Sequence, residues 1–320
     1  MAKKLYPEEA VQAIADSIRA KSGKTDKMTI GEMNAEIDKL YSDDETPEEW
    51  QARVIAEYER QGYKEYVVPD GTKSIPKSFW QKINYHFYVK EIPESVTELG
   101  EDALRYADKL AIIKLPSNLK TIGYSALYGR EDVRFEEIPE TVTTLGNNML
   151  FSCGVKTLDV KAAVGTPSTN AFALCTALKS ITFSGGITTL AGFSTCTGLK
   201  EINIPDGLTS VANSGLYGCG GLEELDLPAS LTSIGTYAFY YCPLYRLILR
   251  RTDDVPNLSS KNAFTGTKIE VGLGYIYVPS ALIDKYKTAT NWATFSAQFR
   301  ALEDYTVDGT TTGELDETKI

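Results

Sequence analysis

Residues that carry chemistry are scarce in this chain of 320 residues. It has a single histidine, His86, and five cysteines. Zinc sites draw on ligands two to four residues apart or on a converging His/Cys set, whereas Cys153, Cys175, Cys196, Cys219 and Cys242 follow one another at intervals of 21 to 23. An odd number of cysteines also fits a disulfide framework poorly. No H-E-x-x-H, G-x-S-x-G or Walker loop occurs, and Gly218 to Gly221 falls in a recurring turn rather than in a phosphate cradle. His86 stands in the aromatic run NYHFYV, where a structural histidine is expected rather than a general base. Basic residues are in the minority too: 33 against 43 acids, a formal net charge of −10, which leaves no basic face for nucleic acid. No stretch of eighteen apolar residues is present, so no membrane-spanning helix is expected. The opening MAKKLYPEEAVQAIADSIRAKSG has two lysines, but Glu8, Glu9, Gln12, Asp16 and Arg19 break any apolar core of a secretory signal. The expectation is a protein that is not an enzyme, needs no cofactor or metal, and neither inserts in membranes nor binds nucleic acid.

What the chain does have is a period. Pro69, Pro93, Pro116 and Pro139 recur at 23 or 24 residues, and Pro205 and Pro228 resume the register three repeats later. Seven stretches share the pattern, and a period in this range means short coils stacked into a solenoid. The clearest coils read L-x-x-L-x-L: Leu110, Ile113, Leu115; Leu178, Ile181, Phe183; Leu199, Ile202, Ile204; Leu222, Leu225, Leu227; Leu244, Leu247, Leu249. Each is expected to be a short strand with these side chains inward. A V/L-T-x-I/L-G turn follows the proline (Leu119 to Gly123, Leu231 to Gly235), then a buried pair such as Ala126-Leu127 or Ala238-Phe239. The cysteines keep the same period and read as a column of small buried hydrophobes. Phe87 to Ile92 and Val133 to Ile138 place Lys or Glu where the second leucine belongs, and the repeats near 161 and 184 lack the proline, so these coils are expected to be bent or differently packed.

The predicted fold is an α/β solenoid of leucine-rich repeats preceded by a small α-helical region. A helical hairpin is expected at 1–41, with Val11, Ile14 and Ile18 on one face and a Thr29/Glu32 capping box opening the second helix. A linking helix at 42–65 starts at the Thr46/Glu49 capping box with Pro47 in its first turn and stops at Gly62. The repeats occupy 66–250, a last repeat with a closing cap 251–303, and a polar tail, flexible or awaiting a partner, 304–320.

The segment LTSIGTYAFYYCPLYRLIL at 231–249, repeated upstream, resembles the BspA-like leucine-rich repeats of bacterial surface proteins, and IYVPSALIDKYKTATNWATFSAQFRAL at 276–302 is similar to their closing unit. That resemblance implies a non-catalytic binding or adhesive role. A second one covers residues 14–40: Ile18-Arg19-Ala20-Lys21, Gly23-Lys24-Thr25, Met28-Thr29 and Met33 to Ile37 look like a short module near the start of phage tail and other structural proteins of Gram-positive hosts. It implies a virion protein made without a signal peptide, docked to other virion proteins through the N-terminal helices, with a homo-oligomer as a further expectation. Its repeat surface would hold a glycan or protein of the host cell, with several copies acting together. A bacterial surface adhesin and a ligand-free spacer are the alternatives.

Two surfaces are candidates for the ligand. The outward strand positions Thr157, Asp159, Ser180, Thr182, Glu201, Asn203, Glu224, Asp226 and Arg246 form a polar, partly acidic strip, either a binding face or an ordinary solvated one. The second is an aromatic row, Tyr128, Phe151, Tyr217 and Tyr240, with Tyr241 and Tyr245 nearby. Rings of this kind either stack on a ligand or pack between coils.

Overall fold

A computed structural model describes residues 45–83, 86–163, 165–168 and 170–304. The hairpin expected at 1–41, with its capping box, and the tail from 305 onward lie outside the described residues. The chain divides into two compact units after Arg53.

In the first unit, Thr46 and Glu49 cap one another: the Thr46 amide donates to Glu49 Oε2 at 3.0 Å and the Glu49 amide to Thr46 Oγ1 at 3.2 Å. They open helix α1, Pro47–Arg60, whose start is further pinned by the bidentate Arg53–Glu45 pair at 2.7 and 2.9 Å. The helix ends in the second unit at Gly62, which has φ +87°; the Gly62 amide donates to the Glu59 carbonyl and the Tyr63 amide to that of Tyr58. This is the Schellman arrangement that a left-handed glycine permits.

From Val54 on, the second unit is built from about ten coils rather than seven, the stack continuing through the strands at 275–278 and 299–301. The first strand is Lys64–Glu65, slightly before the expected start at 66, and it pairs with Phe87 and Tyr88. All strand pairs are parallel and link one coil to the next. The L-x-x-L-x-L strands make three sheets: Lys64–Glu65, Phe87–Val89, Lys109–Leu110; then Glu137–Ile138, Thr157–Val160, Ser180–Thr182, Glu201–Asn203; then Glu224–Leu227, Arg246–Leu249, Tyr275–Val278, Phe299–Ala301. A second stack holds the turn strands, from Ser74–Ile75 to Thr144–Leu145 and from Thr189–Leu190 to Asn257–Leu258. Between its two halves, in the proline-less coils, Gly165 pairs with Ile187 as an isolated parallel bridge.

One core runs along the axis. Leu225, Leu227, Leu247 and Leu249 point into it while Glu224 and Asp226 stay exposed, the alternation that a half-buried strand requires. Each coil also buries its Ala126-Leu127 or Ala238-Phe239 pair completely. Phe172 and Phe193 stack at 4.8 Å, one strand spacing. Gly123 shows why the turn ends in glycine: a Cβ there would lie 2.7 Å from the Gly100 carbonyl carbon of the preceding coil.

One inward assignment is corrected. In the coil at 109–115 it is Ile112 that is fully buried, and Ile113 is partly exposed. Ile112 pairs with Val133 as an isolated bridge, while the Leu110 amide turns to the Asp132 carboxylate at 2.7 Å. The His86 amide does the same with Asp108 at 2.6 Å. In these irregular coils an aspartate side chain thus replaces a missing ladder carbonyl, keeping the backbone satisfied where the strand pattern fails.

The outward face is not uniform. Over the first sheet it is covered by the part of α1 that belongs to this unit, where Val54, Ile55 and Tyr58 pack with Tyr88 and Ala111, and Tyr58 donates to the Leu110 carbonyl at 3.1 Å. At the other end the strands Tyr275–Val278 and Phe299–Ala301 continue the sheet past Arg250. They are backed by α2, Ile283–Thr288, and by the rings of Tyr286, Trp292 and Phe299. Trp292 Nε1 donates to the Pro256 carbonyl at 2.8 Å, closing the core. No helix among the described residues is long and apolar enough to cross a membrane.

Candidate functional site

The cysteine column is structural. All five thiols are buried, and Cys175, Cys196, Cys219 and Cys242 donate S–H to the carbonyls of Leu150, Phe172, Phe193 and Leu216 of earlier coils, at 2.9 to 3.2 Å. Burial pushes the Cys153 and Cys175 thiols far above their ordinary pKa and that of Cys196 to about 12; the Cys219 thiol is raised first by the adjacent Cys242 thiol and then by burial. Such thiols are poor nucleophiles. No group of three or more His, Cys, Asp or Glu among the described residues has the geometry of a metal site. His86 is exposed, set edge-on to Tyr63 with ring centres 5.3 Å apart.

The polar strip exists, in register. Thr157, Ser180 and Glu201 align across three strands, as do Asp159, Thr182 and Asn203. Its acids are largely engaged within the protein. Glu224 accepts from Tyr245 at 2.5 Å and Arg246 at 2.7 Å, Asp226 holds Arg250 through both oxygens at 2.6 and 2.7 Å, and Asp159 accepts from Ser184 at 2.7 Å. Arg246, expected on the open strip, is instead only 5% exposed, drawn down against Glu224 and the Tyr245 ring. Tyr245 is likewise committed, and the Glu224 carboxylate it bonds raises its phenol pKa to about 12. Thr157, Glu201 and Asn203 are the open members of the strip.

The aromatic row resolves into two ladders. Tyr128 and Phe151 stack at 4.7 Å with planes 4° apart, continued by the Arg105 guanidinium 4.3 Å from the Tyr128 centroid. Tyr217 and Tyr240 stack at 4.9 Å and 9°. Ala173 and Ser194 hold the row's positions between them and break it. Tyr240 is further enclosed by Tyr237, edge-on at 5.3 Å, and Tyr241 at 4.4 Å. Ring packing between coils therefore uses the faces of Tyr128, Phe151, Tyr217 and Tyr240, all partly buried.

Exposure passes to their neighbours, Tyr237 at 41% and Tyr241 at 59%. Both have φ +58°. They lie in two columns that turn left-handed in seven coils each. The first contains Asp102, Ser125, Asn148, Asn170, Gly192, Ser214 and Tyr237; the second contains Gly129, Ser152, Leu174, Thr195, Gly218, Tyr241 and Gly266. Small or polar residues tolerate this conformation, whereas a bulky residue is an outlier there, at about 1–3 kcal/mol each. One coil pays it twice, both times with tyrosine. Gly266, which has no Cβ to obstruct it, lets the Tyr241 ring lie against its backbone.

Charge distribution separates this region from the rest. The stretches 141–155, 162–178, 180–199, 207–222 and 227–245 contain no charged side chain, so charges in these coils cluster on and beside the strand face. The earlier coils carry charge on the tyrosine edge as well, where Asp102 binds Lys77 at 2.8 Å and Arg105 at 3.2 Å.

Parallel strands of leucine-rich sequence, stacked one coil on the next around a continuous apolar core, define a leucine-rich repeat solenoid. A family model described as "BspA type Leucine rich repeat region (6 copies)" matches residues 57–179 and 168–282, and the chain belongs to that family. Solved structures similar to it include a leucine-rich repeat protein from Bacteroides ovatus, at 19% identity over 74% of this chain and 71% of that one, with a TM-score of 0.43. Another is a leucine rich cell surface protein from Faecalibacterium prausnitzii, at 17% identity, 73% and 76% coverage and a TM-score of 0.37. A leucine-rich repeat protein from Eubacterium ventriosum shares 21% identity over 64% of each chain, with a TM-score of 0.36. No curated protein matches the chain.

Proposed function

We propose that this chain is a non-enzymatic binding protein of a bacterial cell surface, holding its ligand non-covalently on the outside of the repeats. The observation that carries the reading is the pair of exposed tyrosines kept in a left-handed backbone conformation, on a chain of the BspA-type repeat family. A spacer needs neither ring, and the columns they occupy hold Asp, Ser, Asn, Gly, Thr and, at Leu174, one aliphatic side chain elsewhere. The committed acids of the strand face argue against that face as the main contact and favour the tyrosine edge.

A finer reading, a virion component anchored through residues 14–40 and recognising a host surface, rests on the likeness of that segment. The two are separated by brief protease treatment of intact source cells beside particles purified from the same culture. Repeat peptides released from the cells support the surface protein. Repeat peptides in particles, at the level of a tail component and absent from the cell fraction, overturn it for the virion reading.

A further inference from the structure

The coil after Tyr241 carries an insertion. Nine positions separate the left-handed Gly266 from Tyr275, against five between Tyr241 and Arg246, the residue with which Tyr275 pairs. The extra residues form a projection that is tied down along its backbone. Ile269 is fully buried with its amide on the Leu244 carbonyl at 3.2 Å, the Leu273 amide returns to the Lys268 carbonyl at 2.8 Å, and Gly272 turns the tip at φ +79°. The Glu270 amide donates to Thr267 Oγ1 at 3.1 Å, and the Glu270 carboxylate accepts from the Gly266 amide at 2.7 Å. Gly274 lies so close to Tyr245 that a Cβ would stand 2.6 Å from the Tyr245 carbonyl oxygen. On this fixed frame Val271 is 64% and Leu273 69% exposed; among the described residues only Val67 is an aliphatic side chain as bare. Gly, Asn, Asp and Ser serve a turn as well, so the fold has no need of these two side chains. Exposed aliphatic groups on a rigid support mark a contact surface, since little freedom is lost when they are covered.

Charge of both signs surrounds them. Lys268 and Glu270 are exposed. Glu270 lies toward Tyr241, whose ring packs on Gly266, while Lys268 opens the turn opposite Leu273. The ladder bonds from Phe239 to Ala263 and from Tyr241 to Thr265 set the exposed Lys261 beside Tyr237. A partner of one charge would meet its own sign somewhere on this rim. A rim with both signs around an apolar centre complements itself: a copy turned by half a rotation meets lysine with glutamate twice. We infer that the projection at 268–273 is a two-fold contact with a second copy of this chain. Val271 and Leu273 of the two copies pack together, and Lys268 of each faces Glu270 of the other. The contact stands independently of the surface-binding reading. Where that reading also holds, the dimer offers two tyrosine edges to one surface and gains from binding through both.

Sedimentation velocity of the full chain, from about 1 to 200 µM, reads the contact. Wild type is expected to self-associate across that range, and Leu273→Ser to weaken this at least about tenfold with an unchanged melting temperature, as suits an exposed side chain. Lys268→Glu and Glu270→Lys are each expected to weaken it as well, because like charges then face one another. An equimolar mixture of those two variants is expected to recover the wild-type association, since every facing pair is again lysine with glutamate, and to lose part of the recovery in about 0.5 M salt. Recovery on mixing is a result that damaged folding cannot produce. Wild type that sediments as a monomer throughout, self-association that Leu273→Ser leaves unchanged, or a mixture that associates no better than its components overturns the contact.

Discussion

The coils before Pro139 and those after it share one geometry but hold it with different chemistry. In the earlier set, charge is part of the scaffold. Lys77 and Arg105 meet on Asp102, Lys114 reaches Glu94 at 3.2 Å, and Asp108 and Asp132 cap backbone amides of neighbouring coils. Arg130 even takes the place of a cysteine, donating to the Ala107 carbonyl at 2.9 Å and to Asp132 at 2.6 Å. In the later set the same column is cysteine, the interior is closed by thiol and phenyl contacts, and the turn edge carries no charge from 180 to 199, 207 to 222 or 227 to 245, until Lys261 and Glu270 restore it in the following coil. Scaffolding by small buried groups frees a surface that ion pairs would otherwise occupy. That is why recognition is assigned to the later coils and support to the earlier ones.

The most damaging way to break the comparison is to attack what both regions share. Gly123→Val places side-chain atoms inside the backbone of the preceding coil, and a loss of about 3 kcal/mol or more, or failure to fold, is expected in urea titration. A denaturation midpoint within error of wild type would mean that the coils are not this closely stacked.

The next test separates the two columns. Asp132→Ala strips a partner from Arg130, which is 9% exposed, and an acceptor from the Leu110 amide, so a loss of about 2–3 kcal/mol is expected. Cys219→Ala removes a small group and one weak S–H bond, and about 1–2 kcal/mol is expected. Equal losses would contradict the distinction between ionic and apolar scaffolding.

Acid and base should act on opposite halves. Burial works to raise the Asp102 carboxyl, but hydrogen bonds from Lys77 and Arg105 outweigh it and hold the pKa below the ordinary range. Its contribution is therefore present above the unfolded carboxylate pKa of about 4 and is lost as pH falls below it. Asp102→Asn should be less stable at neutral pH and lose less on acidification. The cysteine column runs the other way. Thiols raised by burial favour folding below the unfolded thiol pKa of about 8.5, and that contribution shrinks as pH rises past it. Replacing two of them with alanine should flatten the alkaline limb. In native protein at pH 8 none of the five should react with a thiol reagent on the time taken by unfolded chain.

The smallest effect concerns the exposed ion pairs. Lys161→Ala, which removes the 2.5 Å contact with Glu137, is expected to leave the urea midpoint within error of wild type.

Much of this was readable in advance, for identifiable reasons. Proline, cysteine and leucine repeat because each coil must place the same group at the same depth, so period translated directly into fold. Ile113 was misplaced because hydrophobicity cannot distinguish Ile112 from its neighbour; the bridge to Val133 and the Asp132 cap decide it. Arg246 was set on the open strip because alternation gives direction and not the pull of Glu224 across the strands. Repeat period does not single out Tyr237, and places Tyr241 only beside the aromatic row, because a left-handed backbone is a conformation and not a composition. A signal was there nonetheless. Aligned by coil, the two columns read Asp, Ser, Asn, Gly and Thr almost throughout, and a tyrosine in such a column is conspicuous.

The central claim, that the later coils recognise and the earlier ones support, is tested most directly by photocrosslinking. A benzophenone side chain is placed at position 241 or at position 106, and the full chain is irradiated on the surface it adheres to. Adducts from position 241 and none from position 106 are predicted. Equal adducts from both, or adducts from 106 alone, would contradict the account.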